Sequence, residues 1–378
     1  MERIIKAAVD RGASDLHIKA GDVFRARING QLVPLTKQAL TPEQTKAIAL
    51  RLISNEEDRS RIDRILDYDC SWGASGIGRF RVNILRQRSS FMIVMRVIPF
   101  EVPTLEKLGL PASLGEIALA DRGLVIVSGR RGSGKSSTIA ALMNHVNQHV
   151  NRHIVTLESP IEFLHRDLQS SITQREVGVD TPSVREGLRA ALRQDPDVVV
   201  IGEMRDGESM DTALKAVETG HRVITSMDAA DVQQTVTRLI ALFPPDEQEH
   251  ARVRLAEALQ AVIALRPVPK VDGDGRAMAL ELMTATPMMR DILIEGTRLH
   301  ELRELIGQAR DQWGMQTFDQ HLVALAEAGT ITAEAAIAAA TRPTDVETKV
   351  GHMKRKTPIN TRAVTPPAGI PAFLEDEA

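Results

Sequence analysis

The 378 residues predict two folded domains and a tail, and a hydrophobic fraction of 43% is enough for substantial cores. A net charge of −3 and an aromatic fraction of 3% argue against a dedicated nucleic-acid binder, which usually presents a basic face and stacking aromatics. The single cysteine, Cys70, excludes a disulfide framework within the chain and a four-cysteine zinc site.

Residues 1–98 predict a small α+β domain. Its clearest element is a hairpin, because Asn29-Gly30, the strongest short hairpin signal, separates apolar strands at 24–28 and 31–33. Three prolines between residues 99 and 111 then predict a linker to a second domain.

The same domain contains a second predicted hairpin, from the alternating residues 79–84 to the returning strand 91–96. Its alternation places Arg79 and Arg81 on one face, and Arg96 lies near the end of the returning strand. A solvated face of a half-buried sheet explains these arginines as well as a functional role does.

From residue 112 to about 345, short apolar strands alternate with helices, which predicts an α/β domain with a largely parallel sheet. The predicted strands are residues 154–157, 198–201 and 222–225. The predicted helices include one that starts after Ser183 with capping-box spacing to Glu186, and one over 208–219. After residue 290 the chain is helical and alanine-rich, and residues 346–378 are polar, rich in proline and predicted to be disordered.

A phosphate-binding loop is predicted in the stretch VSGRRGSGKSS at 127–137, which fits the pattern G-x-x-x-x-G-K-S/T. A buried-type strand precedes it and a helix with apolar residues at helical spacing follows, which disfavours a chance Gly/Ser-rich turn. Lys135 would hold the β- and γ-phosphates of ATP, and Ser136 would ligate Mg²⁺. The candidate nucleotide-binding residues are Gly129, Gly132, Ser133, Gly134, Lys135, Ser136 and Ser137.

Carboxylates follow two of the predicted strands. Glu203 comes just after the apolar strand 198–201, where it could orient the attacking water or accept its proton. Glu158 and Glu162 could hold the water shell of the metal ion. Each alone also fits a solvated strand end, but together with a phosphate loop they predict Mg-dependent ATP hydrolysis.

From about residue 10 to about 345 the chain resembles the type IV pilus retraction ATPases, the twitching motility proteins of the secretion ATPase superfamily. Several long motifs carry this resemblance besides the phosphate loop. They are GASDLHI at 12–18, GRFRVN at 78–83, QREV at 174–177, ALRQDPDVVVIGEMRD at 191–206, ETGH at 218–221, LFPPDEQE at 242–249 and GMQTFDQ at 314–320.

The resemblance implies a PAS-like α+β domain followed by a RecA-like P-loop ATPase domain, assembled as a ring-shaped homohexamer. It implies action on the inner-membrane platform protein of a pilus, a paralogous retraction ATPase as a further partner, and no nucleic acid. The sequence shows no signal peptide and no apolar run near 18 residues. We therefore expect a cytoplasmic protein that is peripheral to the inner membrane through the pilus machine.

The resemblance also implies roles for individual residues. Glu203 would be the catalytic carboxylate, and Glu158 and Glu162 would be acidic-box residues near the metal. His221 would be the first histidine of the histidine box, and Arg238 a conformational sensor. Arg81 and Arg96 match arginines of the N-terminal domain that reach nucleotide in this family.

Two positions depart from the family pattern. Ser159 stands where the acidic box usually has aspartate, and Asp228 stands where the histidine box usually has its second histidine. A carboxylate about 4 Å from a phosphate charge is repelled by roughly 4 kcal/mol at an effective dielectric constant near 20. Asp228 must therefore point away, ligate metal or slow turnover, unless it simply caps a helix that begins at Ala229.

Four alternative functions stay open on the sequence. An assembly or export ATPase is disfavoured, because those relatives are longer and carry a four-cysteine zinc module. A type IV secretion or conjugation ATPase and a nucleic-acid translocase are weaker alternatives. An accessory or regulatory retraction ATPase of low intrinsic turnover is favoured by the changes at Ser159 and Asp228.

Overall fold

The computed structural model describes residues 1–99, 101–273 and 275–351, which form two compact units. Within these residues, the first unit consists of 1–99 and 162–164, and the second consists of 101–161 and 165–351. Residues 352–378, most of the predicted tail, lie outside the described residues.

The first unit is built on one antiparallel sheet. Its strands are β1 (Ala13–Lys19), β2 (Arg25–Ile28), β3 (Gln31–Pro34), β4 (Asp67–Ala74), β5 (Gly78–Gln87) and β6 (Ser90–Ile98). Its helices are α1 (Glu2–Asp10), α2 (Pro42–Leu52) and α3 (Glu56–Ser60), and a 3-10 turn follows at Ile62–Arg64. The sheet order is β3-β2-β1-β6-β5-β4.

Both predicted hairpins of this unit are confirmed. Asn29 and Gly30 have φ angles of 50° and 79° between β2 and β3, and Arg88 and Ser89 have 48° and 61° between β5 and β6. Two successive residues with positive φ form the tight turn whose twist matches that of the flanking strands. Arg81 on β5 lies directly opposite Arg96 on β6.

The second unit alternates strands and helices. Its strands are β7 (Gly123–Gly129), β8 (His153–Glu158), β9 (Ser171–Glu176), β10 (Val198–Ile201), β11 (Arg222–Met227), β12 (Leu259–Pro269) and β13 (Arg276–Thr284). The helices around the sheet are α4 (Ser113–Leu119), α5 (Lys135–His149), α6 (Val184–Ala191), α7 (Gly207–Glu218), α8 (Val232–Ala241) and α9 (Gln248–Ala258). The remaining helices are α10 (Pro287–Glu295), α11 (Leu302–Gln308), α12 (Arg310–Trp313), α13 (Phe318–Glu327), α14 (Ala333–Ala339) and α15 (Pro343–Val350), with a 3-10 turn at Leu299–Glu301.

These seven strands form one sheet in the order β13-β12-β7-β11-β10-β8-β9, parallel except for the β12–β13 pair. Every residue of β7 is buried, because helices cover both faces of the sheet. Leu124 and Ile126 pack into the core on one face, and Val125 and Val127 into the core on the other. The predicted α/β class with a largely parallel sheet is confirmed.

The structure differs from the predicted segments at two places. The predicted linker, 99–111, contributes the buried side chains of Leu105 and Leu110 to a core of the second unit. The predicted tail begins too early at residue 346, because α15 continues to Val350 and buries Val346 and Val350. Isolated apolar residues among polar ones do not show periodicity over so short a helix.

Strands β12 and β13 have little local signal in the sequence. β12 starts at Leu259, directly after the last residue of α9, with no turn residue between the two elements. It also contains Pro267 and Pro269, which are unusual within a sheet. None of the helices in the described ranges is both long enough and apolar enough to cross a bilayer.

Candidate nucleotide-binding site

The phosphate loop, residues 129–136, joins the central strand β7 to α5, as predicted. Its three glycines all have positive φ angles, 157° at Gly129, 76° at Gly132 and 91° at Gly134. A Cβ atom at Gly129 would lie 2.1 Å from the Ser133 hydroxyl and 2.9 Å from the Leu265 carbonyl oxygen. The close approach of Ser133 and β12 therefore leaves no room for a side chain at Gly129.

The end of this loop has the features of an anion site. Gly134 is the N-cap of α5, and no side chain caps the helix there. The Ser133 hydroxyl is buried and finds no hydrogen-bond partner among the described residues. Unpaired N–H groups at a helix start favour a phosphate, so the residues present fit a nucleotide phosphate. Ser136 and Ser137 lie in the first turn of α5.

Lys135 is folded back onto the loop. Its Nζ donates to the carbonyl oxygens of Gly129 at 3.0 Å and Arg130 at 3.4 Å. It also forms an ion pair with Asp228, with 2.5 Å between Nζ and Oδ1. The Lys135 side chain is only 12% exposed, whereas that of Asp228 is 47% exposed.

Asp228 follows β11, the strand next to β7, and so lies beside the loop. It does not cap the following helix: α8 begins at Val232, and its N-cap is Asp231, whose carboxylate accepts the N–H of Gln234. Helix capping therefore does not explain Asp228. The guanidinium of Arg238 on α8 donates to the Asp228 carbonyl oxygen, so the predicted sensor lies at the same edge.

Buried contacts hold the start of α8 against the sheet. The Thr235 hydroxyl donates to the Ser128 hydroxyl on β7 at 2.8 Å, and the Val232 N–H donates to Glu281 Oε2 at 2.9 Å. Burial raises the pKa of Glu281 to about 7, despite that hydrogen bond and two nearby arginines, which lower it. These residues have no recognisable motif, so the sequence offers no signal for them.

Glu203 follows β10, next to β11 in the sheet, as predicted. Arg205 holds it: the Arg205 Nε donates to Glu203 Oε2 at 2.7 Å. The Met204 N–H donates to the Ser226 carbonyl oxygen at 2.9 Å, which attaches the segment after β10 to β11. The Glu203 side chain is 28% exposed, so a water molecule can reach it.

Glu158 ends β8, next to β10 in the sheet. Its Oε1 accepts hydrogen bonds from the Thr156 hydroxyl at 2.6 Å and the Gln174 amide at 3.0 Å. The second predicted acidic-box residue, Glu162, belongs to the first compact unit. No group of three or more Asp, Glu, His or Cys suited to a metal ion occurs in the described part of the chain. A Mg²⁺ ion here would therefore take most of its ligands from phosphate oxygens and water, as Mg²⁺ commonly does.

The sheet order places these side chains along one edge. The carboxyl ends of β7, β11, β10 and β8 are neighbours, so the phosphate loop, Asp228, Glu203 and Glu158 follow one another along that edge. Ligands of open parallel sheets bind at the carboxyl ends of the strands. The phosphate loop at one end of this edge can therefore bind the phosphates of a nucleotide, and the carboxylate of Glu203 follows along the same edge.

His221 lies at the opposite edge of the sheet. It precedes β11, where its carbonyl oxygen accepts the N–H of Gly123 at the start of β7. The six residues of β11 separate it from the phosphate edge by roughly 20 Å. Its Nδ1 lies 2.9 Å from the Ala216 carbonyl oxygen. Within its own chain His221 therefore lies away from the phosphate loop, and a catalytic role for it stays a prediction.

The two predicted arginines of the first unit have different surroundings. The Arg96 Nε donates to Asp15 Oδ1 at 2.9 Å, and the Asp15 side chain is only 11% exposed. Burial raises the pKa of Asp15, but hydrogen bonds from Arg96 and Ser14 outweigh this, and the net pKa is lowered. Arg96 therefore stabilises a carboxylate of its own sheet, whereas Arg81 is exposed on the neighbouring strand.

Comparison with known proteins gives one consistent result. Residues 1–297 match the family described as type II/IV secretion system protein. The type IV pilus ATPase PilU of Pseudomonas aeruginosa is 40% identical over 347 residues, which cover 91% of this chain and 90% of PilU. The retraction ATPase PilT of the same organism is 37% identical over 331 residues, 88% of this chain and 95% of PilT.

A solved structure agrees with these sequences. The crystal structure of the pilus retraction motor PilT with bound ADP matches with a TM-score of 0.83 and 39% identity, over 92% of this chain and 99% of that one. This match confirms the predicted fold class, a RecA-like α/β domain preceded by a smaller α+β domain.

Proposed function

This chain belongs to the type II/IV secretion system protein family, and we propose that it is a motor that hydrolyses ATP to power type IV pilus retraction. The observation that carries the proposal is the similarity to PilU and PilT over about nine tenths of the chain. The phosphate loop and Glu203 lie at the same edge of the sheet, where they can bind ATP and activate a water molecule for its hydrolysis.

The residues of that edge divide the reaction between them. The phosphate loop binds and orients the nucleotide, Lys135 contacts the phosphates, and Ser136 and Glu158 would hold the Mg²⁺ ion. Charge on the phosphates would be neutralised by Mg²⁺ held there. Glu203 orients the water that attacks the γ-phosphorus and accepts its proton as the bond to the β-phosphate oxygen breaks. Arg205 covers one oxygen of Glu203 and must turn away for both to be available.

The assembly and location of the motor follow from the same resemblance. We expect a homohexameric ring at the cytoplasmic side of the inner membrane, held there by the pilus platform protein, with a paralogous retraction ATPase as a further partner. Cells that lack the chain should then carry excess static pili, whereas an absence of pili would indicate an assembly motor.

The first experiment separates binding from hydrolysis. Lys135→Ala should abolish ATP binding, whereas Glu203→Gln should bind ATP and lose at least about 100-fold in turnover, because general-base catalysis contributes that much. Glu257→Gln on α9, an exposed residue, is the matched control and should keep full turnover. Full turnover by a correctly folded Glu203→Gln protein would contradict the assignment.

A second candidate function is an accessory retraction ATPase of low turnover. The ion pair between Lys135 and Asp228 favours it, because ATP must compete with a carboxylate for the lysine. A purified chain with slow hydrolysis that speeds up in the presence of a paralogous motor would support this candidate.

A further inference from the structure

We propose that Asp228 makes this chain select nucleoside diphosphates over triphosphates, because its carboxylate occupies on Lys135 the place that a γ-phosphate needs. The proposal rests on the function proposed above and adds a preference between the substrate and product of the same site. It is carried by the hydrogen bonds of Lys135 and by the anchoring of the Asp228 backbone.

The ammonium group of Lys135 has no donor left for a nucleotide. It has three N–H donors, and it makes three contacts: with the Gly129 and Arg130 carbonyl oxygens and with Asp228. The contact with Arg130 is the longest, at 3.4 Å, and the contact with Asp228 is the shortest, at 2.5 Å. Each phosphate that binds Lys135 must replace one of them.

Two phosphates differ in what they displace. A β-phosphate can take the donor now used by the long Arg130 contact and leave the ion pair with Asp228 in place. A γ-phosphate needs a further donor, and the remaining candidates are the Gly129 carbonyl, which lies within the loop itself, and Asp228. A triphosphate therefore has to give up either the ion pair or the 3.0 Å contact that holds Lys135 to the loop, whereas a diphosphate gives up only the long contact with Arg130.

The displaced carboxylate cannot move far away. The Arg238 guanidinium holds the Asp228 carbonyl oxygen, and the helix that follows is fixed by the buried contacts of Val232 with Glu281 and of Thr235 with Ser128. Only the side chain of Asp228 can rotate, so the carboxylate stays near the γ-phosphate and repels it. Because the Asp228 side chain is 47% exposed, solvent screens this repulsion, and we expect an effect of about threefold to fivefold.

The preference would slow the exchange of product for substrate. After hydrolysis and loss of the γ-phosphate, Asp228 can return to Lys135, and an incoming triphosphate must displace it again, so each subunit spends more of its cycle with product bound. That behaviour suits a motor subunit of low intrinsic turnover.

The test measures binding rather than hydrolysis, with Asp228→Asn in the full-length chain. Asparagine has the size of aspartate and keeps an oxygen that accepts from Lys135, but it removes the charge. The matched control is Asp231→Asn, which removes a carboxylate three residues away that bonds Gln234. Asparagine is as good an N-cap as aspartate, so this control should fold normally. Dissociation constants for ADP and for a non-hydrolysable ATP analogue would be measured for each protein, with and without Mg²⁺.

We expect the unmodified chain to bind ADP more tightly than the ATP analogue. Asp228→Asn should tighten binding of the ATP analogue about threefold to fivefold and change ADP binding less than about twofold. Asp231→Asn should leave the ratio of the two constants unchanged. Equal changes for both nucleotides, or no change, would overturn the proposal.

Weaker binding of the analogue to Asp228→Asn only with Mg²⁺ would also overturn it and would make Asp228 a metal ligand. Each result that overturns the nucleotide preference would leave the proposed function, ATP hydrolysis by a pilus motor, intact. If a folded, unmodified chain bound neither nucleotide, the proposed function itself would fail.

Discussion

Glu281 on β13 is 4% exposed, and its carboxylate accepts the N–H of Val232 at the start of α8. That hydrogen bond satisfies a backbone donor that the helix itself leaves unpaired. Burial nevertheless dominates and raises the pKa of the carboxyl group to about 7 from its ordinary 4.5. Glu281, which contacts the start of α8, therefore changes its charge near neutral pH.

Glu281→Gln should remove a pH dependence of stability. Below pH 4.5 the group is protonated in both folded and unfolded chains. Between about pH 4.5 and 7 the unfolded chain ionises first, so the folded chain loses stability as pH rises, by about 3 kcal/mol in total. Glutamine keeps an oxygen for the Val232 N–H and does not ionise.

Urea unfolding at pH 5 and pH 8 checks this expectation. The difference in unfolding free energy between variant and unmodified protein cancels other titrating groups, and it should shift in favour of Glu281→Gln by a few kcal/mol at pH 8. An identical difference at both pH values would show that Glu281 keeps an ordinary pKa.

The conformation of the phosphate loop is constrained by its surroundings as well as by its own backbone. Gly129 has both a positive φ angle and close neighbours, since an added Cβ would meet the Leu265 backbone on β12. Gly132 has a positive φ angle but no atom within 4 Å of an added Cβ. A substitution at Gly132 therefore introduces backbone strain alone, whereas a substitution at Gly129 introduces strain and a steric collision.

Gly129→Ala should destabilise the chain by about 2–4 kcal/mol, because strain and collision with β12 add. Gly132→Ala should cost about 1 kcal/mol, because only strain applies. Urea unfolding of both variants beside the unmodified protein measures the difference. Equal costs would mean that β12 can shift away from β7 without loss.

At the scale of the whole molecule, the proposed ring would allow an arginine of one subunit to complete the site of its neighbour. Arg81 is the better candidate for this role, because Arg96 is bound to the largely buried Asp15. Removal of Arg96 would leave the Asp15 carboxylate without its cation and could destabilise the fold. A loss of ATP hydrolysis in that variant could then reflect either misfolding or a missing catalytic group. Arg81 lies directly across from Arg96 on the same sheet, so it tests the same surface.

Mixing Arg81→Ala with Glu203→Gln subunits should restore ATP hydrolysis that neither variant shows alone. With random mixing in equal amounts, about a quarter of the head-to-tail interfaces join an intact Glu203 to an intact Arg81. A steady-state assay should recover a comparable fraction of full activity. The control mixes Lys135→Ala with Glu203→Gln, which cannot complement because both residues belong to one site. Equal failure of the two mixtures would exclude action of Arg81 across an interface.

Features that depend on neighbouring residues could be predicted from the sequence by itself. The phosphate loop, the Asn29-Gly30 hairpin and the buried strand before Glu203 each follow from a few consecutive residues. Backbone conformations such as positive φ and the packing of apolar strands act over that short range. The α/β class followed in the same way, because alternating strands and helices leave few other arrangements.

Only the tertiary structure decided which of these features meet. Lys135 and Asp228 are 93 residues apart and touch because β11, not the next strand in the chain, lies beside β7. The same strand carries His221 at its other end, which removes that residue from the site of its own chain. The order of strands in a sheet depends on long-range packing of whole helices and strands, and no short stretch of sequence records it.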